Sequence, residues 1–153
     1  MDRLELKIPP VLVVALVASA MWGVARMTIG LDPAPWLRIG LAALLLITGA
    51  WLAVAGVIEF RRASTTVNPM APGDSSTVVD SGVYRYTRNP MYLGFVFVLL
   101  AWAVWLAAPW TLLGPAAFVA WMNRFQILPE ERALVDRFGD DYRAYRERVR
   151  RWV

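Results

Sequence analysis

Uncharged apolar stretches alternate with short polar stretches along most of this chain. Residues 8–25 and 39–58 carry no charged side chain, and residues 89–123 form a third uncharged stretch that is long enough for two helices. The third stretch is expected to break at Ala107, Ala108 and Pro109. A helix needs about 20 apolar residues to cross the hydrocarbon core of a bilayer. We therefore predict about four membrane-spanning helices, at residues 8–27, 38–59, 90–106 and 109–126.

The C-terminal stretch has a helical period instead of a continuous apolar run. Pro129 and the acids Glu130 and Glu131 are typical of a helix start, because proline suits the first turn and acids complement the helix dipole. Apolar side chains then recur every three or four residues, with most arginines off that face. The pattern predicts one amphipathic helix over residues 129–152 that lies on an anionic membrane surface. Its apolar face would consist of Leu134, Phe138, Tyr142, Tyr145, Val149 and Trp152.

Residues 60–89 form the long polar segment between the predicted spans. Asn68–Pro69 and the stretch 71–74 are rich in residues that break helices and strands. A loop of this length is usually functional or disordered. Because it leads directly into an unusual run of tyrosines and arginines, we interpret it as a functional loop.

The composition supports a single membrane-embedded domain over residues 1–153. The chain is 58% hydrophobic with eight tryptophans, which is too apolar for an ordinary soluble protein. We therefore expect an all-α integral membrane protein. Cysteine and histidine are both missing from the sequence, which excludes disulfides and removes the commonest general base and metal ligand. No metal site is expected.

The positive charges predict the orientation in the membrane. The net charge of +4 comes mainly from arginines in the N-terminal segment, the 60–89 loop and the C-terminal stretch. Under the positive-inside rule, these segments are cytoplasmic. We read this charge as orientation and lipid contact, with no nucleic-acid partner. The preference for arginine over lysine is typical of a GC-rich bacterial genome, and we expect a bacterial inner membrane.

Two features of the first spans have alternative interpretations. Ala18–Ser19–Ala20 resembles a signal-peptidase site, so residues 8–25 could be a signal peptide. The apolar run continues past that site and acids precede it, which favours a membrane span. The glycines of the second span, Gly40, Gly49 and Gly56, either allow close helix packing or are ordinary membrane-helix glycines.

Residues 82–94 read G-V-Y-R-Y-T-R-N-P-M-Y-L-G and connect the polar loop to the third span. Asn89 followed by Pro90 predicts a helix start, and a helix start can hold an anionic group. Tyr84, Tyr86 and Tyr92 offer faces for an aromatic ring or a cation. Taken alone, Arg85 and Arg88 are equally consistent with juxtamembrane charges, and the Glu130–Glu131 pair with helix-start acids.

Together, the 82–94 stretch and the paired glutamates resemble the isoprenylcysteine carboxyl methyltransferase family. The shared pattern is G-x-Y-x-x-x-R-[HN]-P-x-Y-x-G followed by Glu-Glu, and it covers roughly residues 65–153. That family is in turn similar to membrane phospholipid N-methyltransferases. The resemblance implies an S-adenosylmethionine-dependent membrane methyltransferase that acts on a small lipophilic or membrane-associated substrate.

The resemblance also implies roles for individual residues. Arg88 and Glu130 take catalytic roles, and Ser76 begins a stretch that lines the cofactor pocket. Arg124 and Gln126 lie at or near the substrate-binding position. The implied cofactor-binding residues are Thr77, Val78, Val79, Tyr84, Asn89, Pro90, Met91, Tyr92, Glu130 and Glu131.

Gln126 is a departure from the family pattern. The eukaryotic prenylcysteine enzymes have arginine four residues before the first glutamate, where it holds the substrate carboxylate. Here that position is Gln126, and the nearest arginine is Arg124. The methyl acceptor stays open among carboxylate, thiol, amine and lipid. A phospholipid headgroup N-methyltransferase is the first alternative, and a non-catalytic membrane protein is the second. The uncharged spans argue against an ion-coupled transporter.

The arginine distribution generates a prediction about topology. Reporter fusions after Arg62 and after Val153 should both report the cytoplasm, and a fusion near Asp32 should report the opposite side. A C-terminal fusion on the non-cytoplasmic side would overturn the expectation that both parts of the motif share one site.

Overall fold

The computed structural model describes residues 4–66 and 68–153, and all regular structure within these residues is helical. The predicted all-helical class is therefore confirmed. Three short 3₁₀ turns, at Pro72–Asp74, Gly82–Arg85 and Pro109–Leu112, lie between the longer elements. The α-helices are α1 (Pro10–Met27), α2 (Pro35–Arg62), α3 (Pro90–Leu106), α4 (Leu113–Trp121), α5 (Leu128–Phe138) and α6 (Asp140–Arg148).

Helices α1 and α2 are long and apolar enough to cross a membrane. Few of their residues are buried, and large side chains such as Leu16 and Trp51 are exposed. A core helix of a soluble protein would bury these side chains, so the exposed faces fit a lipid environment. Helix α3 is apolar as well, but shorter. Met21 of α1 is buried in the main core, and Trp102 donates its indole N–H to the Ala18 carbonyl at 3.0 Å. These contacts pack α1 into the same core as Leu99 of α3 and Phe118 of α4.

The polar segments gather at one end of the bundle. The Leu6 N–H donates to the Phe125 carbonyl at 3.1 Å, and the Arg88 N–H donates to the Arg150 carbonyl at 2.9 Å. At the other end, the turns meet where the Leu31 N–H donates to the Ala107 carbonyl at 2.6 Å. The N-terminal segment, the loop between α2 and α3, and the C-terminal elements therefore lie close enough to form one site.

Two glycines allow α2 and α3 to pack with their backbones in close contact. A Cβ atom added at Gly49 would lie 2.6 Å from the Gly94 carbonyl oxygen, and the reverse distance is also 2.6 Å. Gly56 lies against Met91 and Pro90 at the start of α3. Gly40 faces open space. Of the two interpretations, close packing holds for Gly49 and Gly56, while Gly40 is a glycine without a packing role.

Helix α5 begins at Leu128 with Pro129 in its first turn, as predicted, but it is not a separate helix, because α4 continues into it through a π-helical segment, Met122–Ile127. Within this segment the Leu128 N–H bonds to the Asn123 carbonyl, five residues back. Pro129 has no N–H to give the Phe125 carbonyl, which is its partner position in a regular α-helix. The Leu6 N–H supplies that hydrogen bond instead. The proline is tolerated because another segment satisfies the carbonyl.

The single C-terminal helix predicted over 129–152 is wrong. Gly139 adopts φ +56° and separates α5 from α6, and α6 ends at Arg148. Such a positive φ is accessible to glycine and strained for most other residues. The predicted membrane surface is not what covers the apolar face. Tyr142, Tyr145 and Val149 are buried against the protein itself, with Val78, Leu134, Val135 and Phe138 packed around them.

The glycine contact generates a prediction about stability. Gly49→Ala should destabilise the protein by about 1–3 kcal/mol, because its methyl group would force apart two backbones. Gly40→Ala should be neutral or stabilising, since alanine is the better helix former where space is open. Thermal unfolding in detergent measures both. Equal or greater stability of Gly49→Ala would show that the two helices do not depend on this contact.

Candidate active site

A cavity of about 100 Å³ lies at the polar end of the bundle, between the α2–α3 loop and helices α3, α5 and α6. This is several times the space that one water molecule needs, so the cavity is larger than a packing defect. Its walls are formed by Phe60, Thr66, Asn68, Pro69, Pro72, Ser75, Thr77, Val78, Val79, Tyr84, Arg88, Asn89, Met91, Tyr92, Ile127, Glu130, Glu131, Leu134, Tyr142 and Tyr145.

Glu130 projects into this pocket from the first turn of α5. Its Oε1 accepts hydrogen bonds from the Tyr92 hydroxyl at 2.5 Å and from the Gln126 amide at 2.6 Å. Among the described residues no hydrogen bond reaches its Oε2. Burial raises the pKa of Glu130 to about 7, although the two hydrogen bonds act to lower it. The side chain is therefore an acid that titrates near neutral pH, with one oxygen available.

Glu131, the next residue, is held quite differently. Its carboxylate accepts from the Arg88 guanidinium at 2.7 Å and from the Arg151 guanidinium at 2.6 Å and 3.1 Å. Burial alone would raise the pKa of Glu131, but the two arginines outweigh it and hold this pKa below its usual value. Glu131 is thus a permanent anion paired with two cations, whereas Glu130 has only neutral donors.

Tyr84 contributes a hydroxyl group without a partner. The residue lies in the 3₁₀ turn Gly82–Arg85, its ring packs edge-on against Phe60 at 5.3 Å, and its carbonyl accepts from the Tyr145 hydroxyl at 2.8 Å. The Tyr84 hydroxyl is buried with no hydrogen-bond partner among the described residues. An unsatisfied buried hydroxyl costs about 1–3 kcal/mol. Burial also raises the pKa of Tyr84, so this group remains a neutral donor. A bound ligand would satisfy it.

The loop segment that the resemblance singled out forms one wall of the pocket. Thr77, Val78 and Val79 line it, and Val78 packs on the α6 tyrosines. Ser76 does not line the pocket. Its N–H donates to the Thr65 hydroxyl at 2.9 Å and its own hydroxyl donates to the Ser64 carbonyl at 3.2 Å. Ser76 therefore fixes the loop while the three following residues face the cavity.

The helix start at residues 89–92 is partly as predicted. Pro90 occupies the first turn of α3, and Met91 and Tyr92 line the pocket. Asn89 stands at the N-cap position but makes no capping hydrogen bond; its amide donates to the Arg151 carbonyl at 3.0 Å. The cap expected from sequence is replaced by a tie to the C-terminal tail. Pro90 itself is buried behind the pocket wall, close to Gly56.

Of the remaining residues predicted for the site, two lie outside the pocket and one reaches toward it. Tyr86 is 78% exposed and lies outside the pocket, so it offers no face to a ligand there. Arg124 also lies outside, about half-exposed, and pairs with Glu5 at 3.0 Å. Gln126 is buried and reaches inward, where it bonds to Glu130 and to the Pro69 carbonyl at 2.7 Å.

Sequence reasoning gave no role in the site to two polar residues that support the pocket, Glu59 and Arg151. Glu59, buried at the end of α2, accepts from the Ser81 hydroxyl at 2.5 Å and pairs with Arg62 at 3.0 Å. Gly82, at φ +54°, leaves room for this carboxyl. Arg151 closes the ion pair with Glu131. A single acid directly after an uncharged span was the available signal for Glu59. For Arg151 the signal was the resemblance, whose second part extends to Arg151 and Trp152.

The sequence profile described as phospholipid methyltransferase matches residues 37–141, which is more than half of the chain. This range contains most of the pocket residues, from Phe60 to Leu134. No solved structure matches the chain significantly.

Individual relatives match shorter segments. The chain is 46% identical over 63 residues to an uncharacterized protein of Haemophilus influenzae, which covers 41% of this chain and all of that protein. It is 41% identical over 70 residues to methanethiol S-methyltransferase 1 of Bradyrhizobium diazoefficiens, covering 44% of this chain and 22% of the relative. It is 37% identical over 79 residues to protein-S-isoprenylcysteine O-methyltransferase of Xenopus laevis, covering 50% and 26%. The match thus spans about a quarter of each of these two methyltransferases.

The raised pKa of Glu130 generates a prediction about pH. Folded protein holds this proton more tightly than unfolded protein, whose carboxyl has a pKa near 4.5. The stability due to Glu130 is therefore fully present below pH 4.5 and is lost as pH rises through about 7. Relative to Glu130→Gln, the native chain should lose on the order of 3 kcal/mol across this window.

Thermal unfolding in detergent between pH 4 and 8 would measure this difference, with Glu147→Gln on exposed α6 as the matched control. Glu131 does not interfere, because its lowered pKa places its effect below the same window. A constant difference between native protein and Glu130→Gln across the pH range would contradict the assignment.

Proposed function

Because this chain belongs to the phospholipid methyltransferase family, we propose that it is a membrane enzyme that transfers a methyl group from S-adenosylmethionine to a small lipophilic or membrane-associated acceptor. The observation that supports this most is the Glu130 carboxyl in the pocket, with one oxygen available and the unpaired Tyr84 hydroxyl in the same pocket. The named methyltransferase relatives support the reaction class.

The pocket residues suit the proposed cofactor. Glu130 would accept hydrogen bonds from ribose hydroxyls or an amine, and the Tyr84 hydroxyl would donate one. Thr77, Val78 and Val79 would supply the wall for the adenine ring. When bound, S-adenosylmethionine supplies an electrophilic methyl group on a sulfonium centre. Since the cofactor carries the reactive group, the protein needs only to align the acceptor and exclude water.

Arg88 keeps a proposed role beside its ion pair. It holds Glu131 and lines the pocket, and its Nε has no hydrogen-bond partner among the described residues. One N–H of the guanidinium therefore stays available to an acceptor atom in the pocket. We propose that Arg88 positions ligand there while it fixes α5 to the start of α3.

The acceptor is proposed to lack a fixed carboxylate. An arginine at position 126 would bring a cation beside Glu130. Gln126 is neutral, and its amide N–H groups already donate to Glu130 and to the Pro69 carbonyl. Arg124 points to Glu5 and lies outside the pocket. A substrate carboxylate would therefore meet Glu130 with no cation at positions 124 or 126 to hold it, and the charge of Arg88 is already paired with Glu131.

A phospholipid headgroup amine is the second candidate acceptor, favoured by the same acid. A protonated amine must lose a proton before it can be methylated, and the chain has no histidine. Glu130, with a pKa near 7, is a pocket group able to take that proton near neutral pH. We further propose that the pocket opens to the cytoplasmic face of a bacterial inner membrane, as the arginine distribution indicates.

Cofactor binding is the first test. Glu130→Ala and Tyr92→Ala should each weaken binding of S-adenosylmethionine by roughly tenfold to a hundredfold, the cost of one charge-assisted hydrogen bond. Glu147→Ala, an exposed acid on α6, should bind like the native protein. Titration calorimetry on detergent-solubilised protein measures all three. Unchanged affinity in both pocket variants would show that the cofactor lies elsewhere.

The substrate is tested by methylation of a prenylcysteine analogue. The native protein should show little activity, and Gln126→Arg should gain activity because a guanidinium can hold the carboxylate in a two-pronged contact. Strong native activity that disappears in Arg124→Ala would overturn the proposal. Membranes given labelled cofactor would then show whether label enters phospholipid or another lipid.

A further inference from the structure

A second cavity lies away from the candidate active site, between the membrane-spanning helix α2 and helix α3. It has a volume of about 340 Å³ and opens sideways, since Ile39, Leu46 and Trp105 are each about half-exposed. The volume falls within the range of small-molecule sites. Its walls are formed by Ile39, Ala42, Ala43 and Leu46 of α2 and by Ala101, Trp102 and Trp105 of α3.

The groove is apolar along its whole length. The indole N–H of Trp102 is not available to a ligand, because it donates to the Ala18 carbonyl of α1. A cavity with such walls does not hold ordered water, which needs two to four polar partners. Because α2 is exposed to the bilayer on this side, the natural occupant is a hydrocarbon chain.

Arg38 marks one end of the groove. Its guanidinium stacks over the ring of Trp105, a wall residue of the cavity, at 5.4 Å, so the charge lies directly beside the groove. No described residue forms an ion pair with it, and its Nε is buried without a hydrogen-bond partner. A partly buried cation without an ion-pair partner is stabilised by an anionic ligand. The planar guanidinium can donate two parallel hydrogen bonds to the oxygens of a phosphate.

The spacing matches the shape of a membrane lipid. Arg38 lies near the start of α2, at the end of the bundle opposite the candidate active site. From there the groove follows one face of α2 to Leu46, about 12 Å deeper into the bilayer at 1.5 Å per residue. A charged head at the interface with an apolar tail pointing inward is the arrangement of a phospholipid.

We propose that this groove binds one acyl chain of an anionic phospholipid from the leaflet opposite the candidate active site, with the lipid phosphate paired to Arg38. The lipid would fill the space between α2 and α3 on the side of the Gly49–Gly94 contact that faces away from the candidate active site. This inference does not depend on the proposed methyltransferase activity.

Native mass spectrometry of the full chain in detergent tests the proposal with phosphatidylglycerol and phosphatidylcholine of identical acyl chains. The native protein should bind the anionic lipid about tenfold or more tightly than the zwitterionic one. Arg38→Gln should remove that preference. Arg26→Gln is the matched control, because Arg26 stacks at 5.8 Å over Trp22, near the same end of the bundle, and Trp22 is not a wall residue of this groove. It should keep the preference.

A second pair of variants tests the groove itself. Ala43→Phe should weaken binding of both lipids by filling the cavity, whereas Ala50→Phe, also exposed on α2 but outside the groove, should leave binding unchanged. Circular dichroism checks the fold of each variant. If Arg38→Gln does not fold, the comparison of Ala43→Phe with Ala50→Phe tests the proposal instead. Equal losses in Arg26→Gln and Arg38→Gln would show unspecific surface charge. Unchanged lipid binding in Ala43→Phe, or a dimer that fills the groove without lipid, would overturn the proposal.

Discussion

The carboxylate of Glu131 joins three separate parts of the chain, and the geometry of the pocket depends on it. Arg88 reaches it from the loop before α3, and Arg151 reaches it from the C-terminal tail. The same tail is held again through its backbone, since Thr87 and Asn89 both donate to the Arg151 carbonyl. Removing one partner of a buried ion pair typically costs about 3–5 kcal/mol. The loop, α5 and the tail therefore stay together or separate together.

This ion pair also decides the character of the neighbouring acid. Both arginines that reach the Glu130–Glu131 pair are taken by Glu131. Glu130 is left with a phenol and an amide, which hydrogen-bond to it without neutralising its charge. Two adjacent residues of one type thus become a fixed anion that supports the structure and a titratable acid that faces the ligand. Their different environments, and not their sequence, separate the two roles.

The two long apolar helices α1 and α2 and the helix start in the 82–94 motif could be read from sequence because both depend on local rules. Hydropathy predicts membrane spans because a helix that crosses a bilayer needs about 20 mostly apolar residues in a row. Asn followed by Pro predicts a helix start for an equally local reason. The failures come from contacts that are distant along the chain. Pro129 is typical of a helix start, yet the Leu6 N–H lets the helix continue through it. The period of Tyr142, Tyr145 and Val149 showed correctly that one face of α6 is covered. Periodicity cannot show what covers it, and here α5 and Val78 of the α2–α3 loop take the place of the membrane.

The π-helical segment Met122–Ile127 gives the two parts of the last long helix separate rotational registers. One residue added to or removed from a regular α-helix turns everything beyond it by about 100°. With the extra residue of the π turn, α4 can keep its apolar face toward the bundle while α5 turns Glu130 toward the pocket. Removing a residue from this segment would preserve the hydropathy of the span but aim the Glu130 carboxyl elsewhere. The number of residues between Phe118 and Glu130 therefore helps to decide where the acid points.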